Sequence, residues 1–186
     1  MKCEGGYPRS VRIDKSEPLH MRGICQSPRE LTIRITFHAS EKGVTMQRLS
    51  FNFPADTRTL PEIGKLAADA GGSAGFDDVE ISDIQLAVDE ACTNTITHGL
   101  KKDPTRSFQL AIQWKTGEIE ILIYEKGEPF DPLQMKQPDL EAPLQDRQVG
   151  GLGFYFVKKL MDIVEYHVDK DGVKTLRMIK RTKIKP

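Results

Sequence analysis

From position 47 onward the chain alternates between two hydrophobic periods, and each change of period marks an element. Leu49, Phe51 and Phe53 fall at every second position, as in a strand with one buried face, and Pro54 stops the run. Leu60, Ile63, Ala67 and Ala70 then recur at helical spacing, with Pro61 acceptable in a first turn and Gly71-Gly72 expected to end the helix. A stretch rich in Gly, Ser and Asp leads to Ser82, from which Ile84, Val88, Ala91 and Thr95 form one stripe of a second helix that reaches His98. Period two returns over residues 108–115 and 118–125, and Thr116-Gly117 between them predicts a hairpin. Residues 126–151 hold four prolines and no period, the signature of a long loop with a function of its own. A third helix is predicted over 154–162, followed by strands 163–168 and 173–181 on either side of an Asp171-Gly172 turn.

This order predicts an α/β two-layer sandwich, a mixed, mainly antiparallel sheet with its helices packed on one face. Residues 1–45 read differently, since Gly5, Gly6, Pro8, Pro18, Gly23 and Pro28 leave only one strand-like run, at 31–37. The chain therefore divides into an N-terminal extension, 1–45, of unassigned purpose and a domain, 46–186. Met46 directly precedes the first convincing strand, so a functional start downstream of the extension is also open.

Composition narrows the function. A chain of 186 residues can bury a core without disulfides or metal. Lys plus Arg equals Asp plus Glu, 27 each, which removes the basic excess expected of a nucleic-acid binder and turns attention to proteins and small molecules. Cys3, Cys25 and Cys92 match neither a C-x-x-C nor a His-linked zinc spacing, so they read as free thiols in a reducing compartment. No apolar run is long enough to cross a bilayer and no secretory signal is recognisable, so a soluble, cytoplasmic protein without membrane or nucleic-acid partners is expected.

Three constellations carry candidate chemistry. Glu90 and Asn94 are four residues apart on the second helix, so a carboxylate able to act as general base and an amide able to ligate a hard cation share one face beside the apolar stripe. Cys92 is turned about 200° from Glu90 on that helix and reads as core. Ile119, Ile121, Ile123 and Glu125 share one strand face, which puts a carboxylate on the apolar side at the strand end, where it needs a partner; Gly127 lets the backbone turn and approach a ligand closely. Gly150, Gly151 and Gly153 open a helix, where backbone N–H groups and the helix dipole favour phosphate. The alternating charges Lys174, Arg177, Lys180 and Arg181, continued by Lys183 and Lys185, read as a solvated strand face and tail.

Taken in order, E-x-x-x-N, then Glu125-Lys126-Gly127-Glu128-Pro129-Phe130-Asp131-Pro132, then Gly150-Gly151-Leu152-Gly153 before a hydrophobic helix resemble the Bergerat-type ATPase domain shared by gyrase, a heat-shock chaperone and sensor histidine kinases. The short form, with Val88-Asp89-Glu90-Ala91 and Gly151-Leu152-Gly153-Phe154-Tyr155-Phe156-Val157-Lys158-Lys159-Leu160-Met161-Asp162, is similar to bacterial anti-sigma-factor serine/threonine kinases over residues 47–181. The resemblance implies ATP and Mg2+ as cofactors, Glu90 as the general base and Asn94 as the magnesium ligand. It further implies adenine contacts from Glu125 and Gly127, phosphate contacts from Gly150, Gly151 and Gly153, and a lid over residues 128–149; Arg147 in that stretch reads first as an exposed loop arginine, with contact to a terminal phosphate as the lesser alternative. The implied partners are a sigma factor, an anti-anti-sigma protein of the STAS type as phosphoryl acceptor, and a second copy of the chain. One position departs from the pattern. Glu125 stands where the family has aspartate, and its extra methylene moves the carboxylate by about 1.5 Å, one single bond. That departure leaves open a second function, a nucleotide-dependent binding module with little or no kinase activity.

Overall fold

The computed structural model describes residues 34–39, 45–127 and 152–182. Its strands are β1 (Arg34–Ala39), β2 (Thr45–Pro54), β3 (Ser107–Lys115), β4 (Glu118–Glu125), β5 (Ile163–Val168) and β6 (Lys174–Arg181); its α-helices are α1 (Leu60–Ala74), α2 (Asp78–Asn94) and α3 (Leu152–Leu160). The strands form one sheet in the order β1-β2-β3-β4-β6-β5. Each described ladder is antiparallel, so the expected mixture of pairings is not found among the described residues. The reason is topological: β6 folds back from the edge strand β5 and takes the place beside β4, so the two strands that flank α3 never pair directly. The strand-like run in the N-terminal segment forms β1, which pairs with β2 from Arg34↔Ser50 to Ala39↔Thr45.

Strand parity decides what is buried. Phe51 and Phe53 on β2, Phe108, Leu110 and Ile112 on β3, and Ile119, Ile121 and Ile123 on β4 are all at most 3% exposed and share one cluster with Ile63, Ala67, Ile84, Val88 and Ala91 of the helices. Burial of each large side chain there contributes about 1.5–3 kcal/mol. The opposite sheet face is ionic: Arg177 bridges Glu120 and Glu165, and Arg181 reaches Glu118. Lys174 and Lys180 do not belong to that solvated face. Opposite residues on neighbouring strands share a face, and the register pairs Lys174 with Glu125 and Lys180 with Ile119, so both lysines point toward the helices and are buried.

α1 runs further than its periodicity suggests, and α2 begins earlier. Gly71 and Gly72 do not end α1, because a Cβ on Gly71 would already touch Ile81 at 3.3 Å and Ile84 at 3.5 Å; glycine at 71 serves the helix crossing. The end falls at Gly75, with φ +88°, where Gly75 and Phe76 donate to the carbonyls of Gly72 and Gly71 in a Schellman motif. α2 starts at Asp78 rather than Ser82, because Asp77 and Glu80 form a reciprocal capping box that satisfies the first orphan N–H groups.

Candidate functional site

α2 presents its chemistry over its last two turns. Glu90 is half-buried, and its carboxyl is held above the usual glutamate range, first by loss of hydration and then by the neighbouring charge of Asp89. That is the direction a general base needs at neutral pH. One turn on, the Asn94 amide nitrogen is buried and finds no hydrogen-bond partner among the described residues. A buried orphan donor is costly in a folded protein, and a ligand bearing acceptor oxygens would satisfy it. Cys92 lies in the core, and burial raises its thiol far out of the reactive range, in line with a packing role.

α3 meets Glu90 at Gly153. A Cβ on that residue would overlap the Glu90 carboxylate, so only glycine lets the first turn of α3 approach the carboxylate so closely. Gly150 and Gly151, the proposed lid at 128–149 and Arg147 lie outside the described residues.

At the other end of the site α2 runs into a π-helical turn, Thr95–Gly99, in which Leu100 N–H reaches back to the Thr95 carbonyl at 2.8 Å. Such turns concentrate at functional sites because they re-aim the backbone. Here the turn brings Gly99 against the end of β4: a Cβ on Gly99 would stand 3.1 Å from Glu125 Oε1, and one on Gly127 would overlap both the Gly99 carbonyl and Glu125. Glu125 Oε2 accepts from Gly127 N–H. Its Oε1 faces Lys174 Nζ at 3.3 Å, with the two side chains 9% and 6% exposed, and Lys174 also donates to the Gly127 carbonyl. Parity had required a partner for Glu125, and the chain itself supplies one.

Between these ends lies a small cleft. Ala91, Asn94 and Thr95 line it from α2, Ile123, Glu125, Tyr166, Lys174 and Leu176 from the sheet, and Phe154 from α3, with Gly99 at the turn. The cleft is thus apolar along its walls, with Asn94 as one polar group and the Glu125–Lys174 pair as another. Five residues singled out from sequence, Glu90, Asn94, Glu125, Gly127 and Gly153, are brought to or beside it. Lys174 and Gly99 were missed. The period-two run Lys174, Leu176, Met178 would have placed the lysine on the core face.

The comparisons with known proteins agree with this geometry. A family model described as a histidine kinase-like ATPase domain matches residues 53–180. The chain belongs to this family. Its ATPase domain is similar to proteins named serine-protein kinase RsbW: 36% identical over 112 residues to that of Bacillus licheniformis, covering 56% of this chain and 66% of the relative. For Bacillus pumilus the values are 31% over 128 residues, 65% and 78%, and for Bacillus subtilis 28% over 137 residues, 71% and 84%. The alignment thus spans just under two thirds of the first of these relatives and more of the other two.

The residues of the ATPase domain fit a magnesium–nucleotide complex. Among the described residues no three His, Cys, Asp or Glu side chains gather to hold a metal. Magnesium that shares phosphate oxygens needs only one or two protein oxygens, and Asn94 offers one beside a donor that lacks a partner. Among the described residues no helix is long and apolar enough to cross a membrane.

Proposed function

We propose that this chain is an ATP-dependent serine/threonine protein kinase that also acts as an anti-sigma factor in a partner-switching circuit, phosphorylating a STAS-type anti-anti-sigma protein. The observation that carries the reading is the meeting of Glu90, with its raised pKa, and Gly153, chain neighbours of the cleft-lining Ala91 and Phe154, beside a cleft whose wall holds the unsatisfied Asn94 amide.

The residues divide the work. Glu90 accepts the proton of the acceptor hydroxyl as that oxygen bonds to the γ-phosphorus; the bond from phosphorus to the β,γ-bridging oxygen breaks, and ADP leaves with its electron pair. Asn94 would hold Mg2+ through its amide oxygen and a phosphate oxygen through its N–H, and Mg2+ when bound would supply neutralisation of phosphate charge. Gly150, Gly151 and Gly153 give backbone N–H contacts to phosphate, residues 128–149 form the lid, and Glu125 and Gly127 meet the base. Residues 46–186 form the catalytic domain, to whose sheet the segment 1–45 adds β1 and the first residue of β2, and the protein works in the cytoplasm as a dimer, with a sigma factor as its second partner.

The decisive experiment incubates the purified chain with γ-labelled ATP, Mg2+ and the STAS-type proteins of the same genome. Label on one of them, lost in Glu90→Ala while ATP binding persists, is the expected result. Transfer that survives Glu90→Ala overturns the assignment of the base. The pairing of Glu125 with Lys174 favours a second reading, a nucleotide-gated binding module, since the base end is already internally satisfied. ATP binding without transfer to any acceptor would select it.

A further inference from the structure

Three of the four large apolar side chains that stand exposed among the described residues belong to the two helices that meet at Glu90 and Gly153: Val79 and Leu86 on α2, 71% and 44% exposed, and Phe156 on α3, 41% exposed. We propose that this surface is the docking site for the phosphoacceptor protein, which meets it with aliphatic side chains set among lysine or arginine. The inference rests on the reading of the chain as a protein kinase and names where, and by what chemistry, its protein substrate is held.

Two contacts fix how the helices lie. Gly153 meets Glu90, and Lys180 joins Asp83 of α2 to the Leu160 carbonyl of α3, so the helices run antiparallel along a seam between these points. Leu86 stands three residues after Asp83 and four before Glu90, and Phe156 three after Gly153 and four before Leu160. Each therefore shares a helix face with both contacts of its own helix. At about 1.5 Å of rise per residue, Leu86 is about 6 Å from Glu90 along the axis and Phe156 about 4.5 Å from Gly153, which sets them at one level on either side of the seam. Val79 continues the face of Leu86 two turns further from Glu90. A single exposed leucine needs no explanation, but two large apolar side chains flanking a seam one turn from the general base do. The acceptor hydroxyl must reach Glu90, so the protein that carries it has to cover the surface within a turn or two of that residue.

Charge complementarity chooses the partner. α2 carries Asp78, Glu80, Asp83, Asp89 and Glu90 and no Lys or Arg, in a chain of zero formal net charge. Lys180 pairs with Asp83, while Asp89 stays exposed beside Glu90. Such a face attracts a basic partner and repels an acidic one. A two-fold contact between copies of this chain centred on α2 would set the same acidic helix against itself, which disfavours a second copy as the occupant.

The test is steady-state transfer from labelled ATP with Mg2+ to the STAS-type protein that the wild type phosphorylates, with the full chain and with Leu86→Ser, Phe156→Ser, Ser82→Lys and Ser82→Glu. Ser82 is exposed one turn before Leu86 and reads the charge of the partner without touching the nucleotide site. Leu86→Ser and Phe156→Ser are each expected to raise KM for the acceptor at least about tenfold, with ATP affinity and melting temperature unchanged. Ser82→Lys is expected to raise that KM and Ser82→Glu to leave or lower it. An acceptor KM unchanged in both apolar-to-serine variants overturns the docking site and leaves the kinase reading intact. Equal KM in the two Ser82 variants overturns the basic character of the partner. Altered sedimentation with an unchanged acceptor KM assigns the surface to a second copy of the chain and overturns the inference. A wild type that binds ATP yet labels none of the STAS-type proteins overturns the kinase reading and this inference together. If Leu86→Ser or Phe156→Ser does not fold, the Ser82 pair decides.

Discussion

Gly153 and Glu90 come so close that a Cβ on the glycine would stand 2.7 Å from Cδ of the glutamate and overlap its Oε2. The atom in the way is the far end of a flexible side chain, so Gly153→Ala should fold, with alanine in the helix gaining up to about 1 kcal/mol. The carboxylate must move, however, and a displacement on the order of 1 Å is enough to cost ~100-fold in rate. The expected outcome is a melting temperature unchanged or raised and phosphoryl transfer lowered ~100-fold, read by calorimetry and a labelled-ATP assay.

Glu90→Gln should lower transfer by about 10²–10⁴-fold while ATP affinity changes little. Because burial and Asp89 raise the carboxyl above its ordinary value of 4.5, the acid limb of the pH–rate profile should fall above that value. The linkage sign follows from the same shift. The folded state penalises the ionised form, so stability from this position is lost as pH rises from the ordinary value through the raised one. Glu90→Gln should therefore melt above the wild type at neutral pH and level with it at acid pH.

Asn94→Ala separates stability from binding. The amide nitrogen has no partner among the described residues, and removing a buried unsatisfied donor relieves about 1–3 kcal/mol. Its melting temperature is expected not to fall, whereas the gain in ATP affinity on adding Mg2+ should drop by about tenfold or more. Titrations with and without Mg2+ read the difference.

Lys180→Met tests the frame rather than the site. Lys180 Nζ donates to Asp83 Oδ2 at 3.0 Å and to the Leu160 carbonyl at 2.8 Å, tying β6 to α2 and to the last turn of α3. Asp83 is one third exposed, so the ion pair itself is discounted for solvent screening and most of the loss comes from the orphaned helix-end carbonyl. A destabilisation of about 1–2 kcal/mol in urea unfolding is expected.

The strands were the most legible part of the sequence, since β2, β3, β4 and β6 bury side chains at every second position; β4 and β5 have the predicted limits. Helix limits were harder, because a glycine can mark either an ending or a crossing. Gly71 and Gly75 look alike in sequence, and only packing against Ile81 and a positive φ separate them. In the site, Glu90 and Asn94 followed from helical spacing and Glu125 from parity. Lys174 escaped because its charge, grouped with Arg177, Lys180 and Arg181, outweighed the period-two run it shares with Leu176 and Met178. Gly99 escaped for a different reason: its place against Glu125 depends on a π-helical turn, and no spacing rule announces one.

That turn makes the site sensitive to chain length as well as to chemistry. Residues 95–99 act as a gauge between the catalytic helix and the base edge. Removing one residue would restore ordinary helical winding and rotate everything beyond it by about 100°. The same amino acids would then be present, one step out of phase, with the Gly99 backbone turned away from the carboxylate it now abuts.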